Sequence, residues 1–136
     1  MRYLGVQHDK RLTFAAHVQS LVEKSVRCLY PLNNRRSRLD VANRLHPFKT
    51  MHRPTFTYGA PSLSRCARTH KKKLQVHQNR VIKMILDKPR RFSTTRLHSL
   101  AGVELIDEYF SRLSERFISS CQNNINEDIV QLVSDL

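Results

Sequence analysis

The sequence predicts a mainly α protein of about five helices with one short N-terminal strand. Three observations carry this. Apolar residues recur every three or four positions over three long stretches, the pattern of a helix with one buried face. Turn and helix-stopping residues such as Pro31, Pro89 and Gly102 fall between those stretches. Only 3 glycines occur in 136 residues, too few for a turn-rich β-sandwich or a Gly-rich phosphate loop. The length suits one domain or part of one, with a single modest core.

Taken in order, Tyr3-Leu4-Gly5-Val6 reads as a strand piece with no partner strand obvious after it. An isolated strand exposes unpaired backbone groups. From Thr13, a plausible N-cap, Phe14, Val18, Leu21, Val22, Val26 and Leu29 predict an amphipathic helix of about five turns. A basic turn at 33–37 follows. The next helix, marked by Leu39, Ala42, Leu45, Phe48, Met51 and Phe56, is interrupted by Pro47 and Pro54. Each removes a backbone donor, so a break or kink is expected near each. Tyr58-Gly59-Ala60-Pro61-Ser62 is a loop.

Residues 70–87 form the next strong helix, with Thr69 able to cap its start and Pro89 ending it. Its apolar stripe is Leu74, Gln78, Val81 and Ile85, widened by His77, Ile82, Met84 and Leu86. Ser93 caps a short helix through Leu97 and Leu100, and Gly102 stops it. Ile106, Phe110, Leu113, Phe117 and Cys121 mark the core stripe of a last long helix, with Glu104, Asp107 and Glu108 favourably placed at its positive end. Ile129, Leu132, Val133 and Leu136 suggest a final helical scrap.

Charge is the outlying property. The chain carries 24 Lys and Arg against 11 Asp and Glu, a net +13. Residues 1–100 hold 22 of those cations against four acids, +18, whereas residues 101–136 hold two against seven, −5. Such a basic surplus suggests a polyanionic partner. Arg35, Arg36 and Arg38 form one knot, Lys71, Lys72 and Lys73 a second, and Lys88, Arg90 and Arg91 a third. Exposed Lys and Arg neutralise phosphates and release counterions without reading any base.

Other chemistry finds no support. Two-metal phosphoryl transfer needs converging carboxylates, and Asp9, Asp40 and Asp87 are each alone in sequence. No histidine pair has the i, i+4 spacing of a helical zinc site. Cys28, Cys66 and Cys121 are isolated and odd in number, which fits reduced thiols in an intracellular protein. No apolar run is long enough to span a membrane, and no signal-peptide core is evident.

The order of short motifs resembles non-LTR retrotransposon reverse transcriptases, most closely the jockey-type elements. The likeness begins at Tyr3-Leu4-Gly5-Val6, Asp9-Lys10-Arg11-Leu12-Thr13-Phe14 and His17. It continues through Leu29-Tyr30-Pro31-Leu32, Asn34-Arg35-Arg36-Ser37, Phe48-Lys49-Thr50-Met51-His52-Arg53-Pro54 and Phe56-Thr57-Tyr58-Gly59-Ala60-Pro61. It ends with the run from His70 to Asn79, spanning residues 3–117 in all. No single motif is specific; their order and spacing are. His8, Pro47 and the Leu63-Ser64-Arg65-Cys66 stretch depart from the family's pattern, and Pro47 stands where the family has an apolar helix residue.

The resemblance implies that residues 1–12 are the end of a palm-like strand region, 13–122 a helical thumb-like domain and 123–136 a C-terminal tail. It implies a fragment of an RNA-directed DNA polymerase, a nucleotidyltransferase, that binds an RNA/DNA template–primer duplex. The palm's catalytic aspartates and the endonuclease would lie in portions of the parent polyprotein that this chain lacks. Magnesium would belong to the parent, with no cofactor and no polymerase activity in this chain alone. The expected phosphate contacts are Arg35, Arg36, Arg38, Lys71, Lys72, Lys73, Lys83, Arg90 and Arg91. The expected location is the nucleus or a cytoplasmic ribonucleoprotein. The residues alone also admit a standalone basic helical RNA- or DNA-binding module, or a protein-interaction piece whose basic face meets an acidic partner.

Overall fold

The computed structural model describes residues 2–3, 5–7, 9–11, 13–29, 39–64, 66–123, 129 and 131. The elements run β1 (Arg2–Tyr3), β2 (Val6–Gln7), α1 (Ala15–Leu29), α2 (Val41–Pro47), a π-helical turn (Phe48–His52), α3 (Arg53–Thr57), α4 (Ala60–Leu63), α5 (Arg68–Ile85), α6 (Thr94–Ala101) and α7 (Ile106–Gln122). The mainly α reading holds. The expected turn at 33–37 with Arg35, Arg36 and Arg38, the Tyr30-Pro31-Leu32 motif and nearly all of the C-terminal scrap lie outside the described residues.

The strand segment finds its partner locally. β1 and β2 pair antiparallel, Tyr3 opposite Val6 and Arg2 opposite Gln7. The turn between them passes through Gly5 at φ +84°, a conformation glycine adopts without steric cost. Asp9 organises the entry to α1 together with Thr13, whose Oγ1 accepts from the Ala15 N–H at 3.5 Å. Asp9 Oδ1 accepts from the backbone N–H of Thr13 at 2.6 Å and of Phe14 at 3.3 Å, and its Oδ2 from the Thr13 hydroxyl. The Thr13 hydroxyl bond above all holds the Asp9 carboxyl below the usual carboxylate range. Phe14 sits at φ +59°, unusual for an aromatic residue, and its carbonyl accepts the first helical bond from Val18 at 2.9 Å.

Pro47 and Pro54 do not break the second helix. The chain stays helical from Val41 to Thr57 by widening to a π turn at Phe48–His52, where the Arg53 N–H reaches back five residues to the Phe48 carbonyl. Threonine hydroxyls help occupy carbonyls along the segment: Thr50 donates to His46 at 2.9 Å, Thr55 to Met51 at 2.8 Å and Thr57 to Arg53 at 2.8 Å. The wider turn changes which residues face inward. Phe48 and His52 are buried, whereas Met51, which a regular helix would bury, is 63% exposed. Leu39 is exposed too.

The core gathers Val18 and Leu21 of α1, Phe48, Leu63 of α4, Leu74, Val81, Ile82 and Ile85 of α5, Leu97 of α6, and Ile106 and Phe110 of α7. Val26 and Met84, expected on inward faces, are exposed. The core also contains polar residues: His77, expected on the inner stripe of α5, and Ser25 and His52, which periodicity does not predict. Ser25 Oγ lies 2.8 Å from the Val22 carbonyl and 2.7 Å from His77 Nε2, while His52 Nδ1 lies 3.1 Å from the Ser25 carbonyl. The two imidazoles are 5.5 Å apart. Burial pushes His52 down to about 4, with repulsion from His77 adding to it and the Ser25 carbonyl opposing it. Burial, then Arg80, pushes His77 down as well.

This cluster sets an acid limit on stability. A histidine with a depressed folded pKa stabilises the fold fully above its unfolded value near 6.5. That contribution is lost as pH falls toward the folded value near 4. Denaturant unfolding at pH 7 and about pH 4.5 is expected to differ by on the order of 2–3 kcal/mol through His52. His52→Gln is expected to flatten that dependence, and an unchanged pH profile would show that His52 is not its source.

Around α5 the other helices are set by short-range bonds. No side chain caps α5, whose first residue is Arg68, so Thr69 does not act as its cap. Its far end closes through Asp87 at φ +50° and a bond from the Lys88 N–H to the Lys83 carbonyl at 2.8 Å. Gly102, at φ +57°, ends α6 as expected, with the Val103 N–H reaching the His98 carbonyl at 3.2 Å. Glu108 Oε2 accepts the Leu105 N–H at 3.2 Å and Gln75 Oε1 the Ile106 N–H at 2.7 Å, which seats the start of α7 on α5. The predicted α7 stripe is buried only at Ile106 and Phe110. Phe117, at the far end of the stripe, is 54% exposed.

Candidate nucleic-acid interface

The basic surface is built on α5, a helix of 18 residues without a single acid. Its inner face is fixed by burial of Leu74, Gln78, Val81, Ile82 and Ile85. Gln78 is tolerated there because its Nε2 donates to the Glu104 carbonyl at 2.9 Å. With that face held inward, Lys72, Lys73, Val76, Arg80 and Met84 are exposed. The row Lys72, Val76, Arg80 and Met84 follows i, i+4 spacing, so these side chains stack along one side of the helix.

Two open grooves border this row. One, of about 510 Å³, runs between α1 and α5 and is edged by Lys72, Lys73 and Arg80. The other, of about 620 Å³, shares Val76 and Arg80 and continues past Lys83 and Met84 to Arg90. Lys83 Nζ donates to the Arg90 carbonyl at 2.7 Å, tying the loop after α5 back to the helix. Asp87 in that loop is paired with Arg44 of α2 at 3.1 Å. A further turn, from the Phe92 N–H to the Pro89 carbonyl at 3.0 Å, carries Arg90 and Arg91, both exposed. Lys88 lies over the Phe92 ring at 5.6 Å from its centroid.

The nine residues expected to contact phosphate are therefore distributed unequally. Lys72, Lys73, Lys83 and Arg90 line the two grooves, and Arg91 is exposed in the turn after Arg90. Lys71 turns to the opposite side of α5, where its Nζ is 3.5 Å from Asp107 Oδ1. Arg35, Arg36 and Arg38 lie outside the described residues. Arg80, shared by both grooves, was not among the nine. Selection by runs of adjacent cations passes over it, whereas its helical register with Lys72 and Val76 would have found it.

The acidic end of the chain packs against the other side of the basic body. Glu104 Oε2 is 2.7 Å from Arg112 Nη2 and 3.7 Å from Arg53 Nη2, and the Arg53 guanidinium stacks 3.8 Å from the Tyr109 ring centroid. Burial lowers the Arg53 pKa, opposed by Tyr109 and Glu104. Acid and cation are thus consumed together, and the face of α5 between the grooves keeps its positive surplus. Glu104→Gln is expected to cost about 1–2 kcal/mol in denaturant unfolding, because Arg53 keeps its buried charge and loses its carboxylate. No change would mean that the Glu104 backbone carbonyl, which accepts from Arg53 Nη2 at 3.2 Å, and Tyr109 suffice.

Among the described residues, no three His, Cys, Asp or Glu side chains converge to hold a metal ion. The Asp9 carboxylate is occupied by the α1 entry and that of Asp87 by Arg44. No helix among the described residues is long and apolar enough to cross a membrane.

No family model and no solved structure matches the sequence. Two curated relatives do. The chain is 28% identical over 119 residues, 85% of its length, to a protein described as the probable RNA-directed DNA polymerase from transposon BS of Drosophila melanogaster. It is 28% identical over 128 residues, 92% of its length, to the probable RNA-directed DNA polymerase from transposon X-element of the same fly. The matched stretches amount to 13% and 14% of those proteins, so the chain spans a small part of the relatives it matches.

Proposed function

We propose that this chain is a non-catalytic segment of a jockey-like non-LTR retrotransposon reverse transcriptase, comprising the end of the palm and the thumb, and that it grips template–primer duplex. The observation that carries the reading is the acid-free outer face of α5, with Lys72, Lys73, Arg80, Lys83 and Arg90 along two connected grooves. Its likeness to transposon RNA-directed DNA polymerases supplies the polyanion such a face suits.

The role of this face is electrostatic and positional. Cations spaced along a rigid helix contact successive phosphates without reading sequence, as a polymerase that copies any template requires. Template-directed synthesis, with its magnesium and catalytic aspartates, belongs in this reading to the rest of the parent polymerase, and no catalytic step is assigned to these residues. The test is titration of an RNA/DNA hybrid duplex with the full chain and with a variant carrying Lys73→Ala, Arg80→Ala, Lys83→Ala and Arg90→Ala. Loss of most of the affinity in the variant supports the reading. Equal binding by both proteins would sink it.

A further inference from the structure

We infer that the groove between α1 and α5 docks an acidic amphipathic helix of a partner polypeptide. Phosphate contact accounts for the rim of this groove but not for its floor. Lys72, Lys73 and Arg80 edge it, and none of its lining residues is acidic. Val18, Val22 and Val76 lie beneath them. On α1, Val18, Val22 and Val26 follow one another at i, i+4 spacing, passing from fully buried through half-buried to 50% exposed. Across the groove, Val76 is 58% exposed. An apolar row on one helix facing an exposed valine on the next is an unfinished helix–helix seam.

A third helix laid along this seam would place apolar side chains at i, i+3, i+4 and i+7 onto the valines and its carboxylates beside the rim cations. Charge selects an acidic partner helix over a neutral or basic one. The floor suits a polypeptide: aliphatic valines offer bases no stacking platform, so a duplex engages only the rim cations, whereas a helix engages rim and floor together. This goes beyond the proposed duplex grip, and because the two ligands share Lys72, Lys73 and Arg80 they exclude one another.

The test uses the full chain and a labelled helical peptide of about 18 residues with leucines at i, i+3, i+4 and i+7 and glutamates between them. A control peptide has the same composition in an order without that period. The periodic peptide is expected to bind about tenfold more tightly than the control. Val76→Ser, at an exposed position, is expected to weaken it about tenfold, and Val26→Ser to act in the same direction. Equal binding of the two peptides, or no effect of Val76→Ser, overturns the inference by reducing the groove to a general polyanion surface. Duplex titration of the same variants keeps the two readings apart. Val26→Ser, outside the lining of both grooves, is expected to leave duplex affinity within about twofold. Failure of the wild-type chain to bind duplex would sink the grip reading while leaving the peptide result to stand.

Discussion

Raising salt from about 50 to 200 mM is expected to weaken hybrid-duplex binding by roughly two to three orders of magnitude. The argument runs through counterion release. Each phosphate neutralised by a lysine or arginine frees a condensed cation, and the logarithm of affinity falls with that of salt concentration by about 0.9 per contact. Lys72, Lys73, Arg80, Lys83 and Arg90 line the grooves beside the acid-free face of α5. About five contacts give a slope near −4.5, and a fourfold rise in salt then costs several hundredfold. Removing Lys73, Arg80, Lys83 and Arg90 together is expected to flatten the slope by about 3.6. Lys71→Ala is expected to change the slope little, because Lys71 is already paired with Asp107 of α7, away from the grooves. The slope is the decisive readout, since a merely unfolded variant would lose binding at all salt concentrations. A flat salt dependence in the wild-type chain would remove the phosphate-contact picture altogether.

Phe48→Ala is expected to cost about 3–5 kcal/mol, whereas Met51→Ser is expected to stay within about 0.5 kcal/mol of the wild type. Both residues lie on the apolar series of the second helix, and a regular 3.6-residue period treats them alike. The π turn separates them. Phe48 is wholly buried, packed beside His52 with ring centroids 5.2 Å apart, whereas Met51 projects to solvent. Truncating Phe48 removes a full aromatic volume and leaves a cavity beside the His52–His77–Ser25 cluster. Against a total stability of about 5–15 kcal/mol that loss is a large share. Denaturant unfolding of the two variants measures it directly. Similar losses in both would mean that the helix passes Pro47 in regular register.

The long helices were legible because each carries a one-sided apolar stripe over several turns. Leu74, Val81 and Ile85 in α5, and Ile106 and Phe110 in α7, are buried where their spacing places them. Gly102 was legible as a stop because a left-handed residue after a helix favours glycine. The caps were not. Gln75 caps α7 from 31 residues upstream, so no local window contains that pair, and Asp9 acts from four and five residues upstream of Thr13 and Phe14, beyond the single N-cap position that a cap reading inspects. His17 and His52 escaped for a related reason: they count as polar in any periodicity, whereas His77 was legible on the α5 stripe. Ser25 and its carbonyl make the interior acceptable to His77 and His52 only after α1, α5 and the π turn have met.

In the candidate interface the sequence specified the ingredients and their sign: clustered cations over residues 1–100, no Asp-Asp pair, and an order of short motifs that resembles reverse transcriptases. Charge and local period are properties of the chain itself and survive any folding. The tertiary structure decided which cations share a face. Burying Leu74, Gln78 and Ile82 fixed the rotation of α5, and that rotation sent Lys71 toward Asp107 while leaving Lys72, Lys73 and Arg80 along one groove. Three consecutive lysines are equivalent in sequence. On a helix they point about 100° apart, and only the packed core determines which of them are left facing solvent.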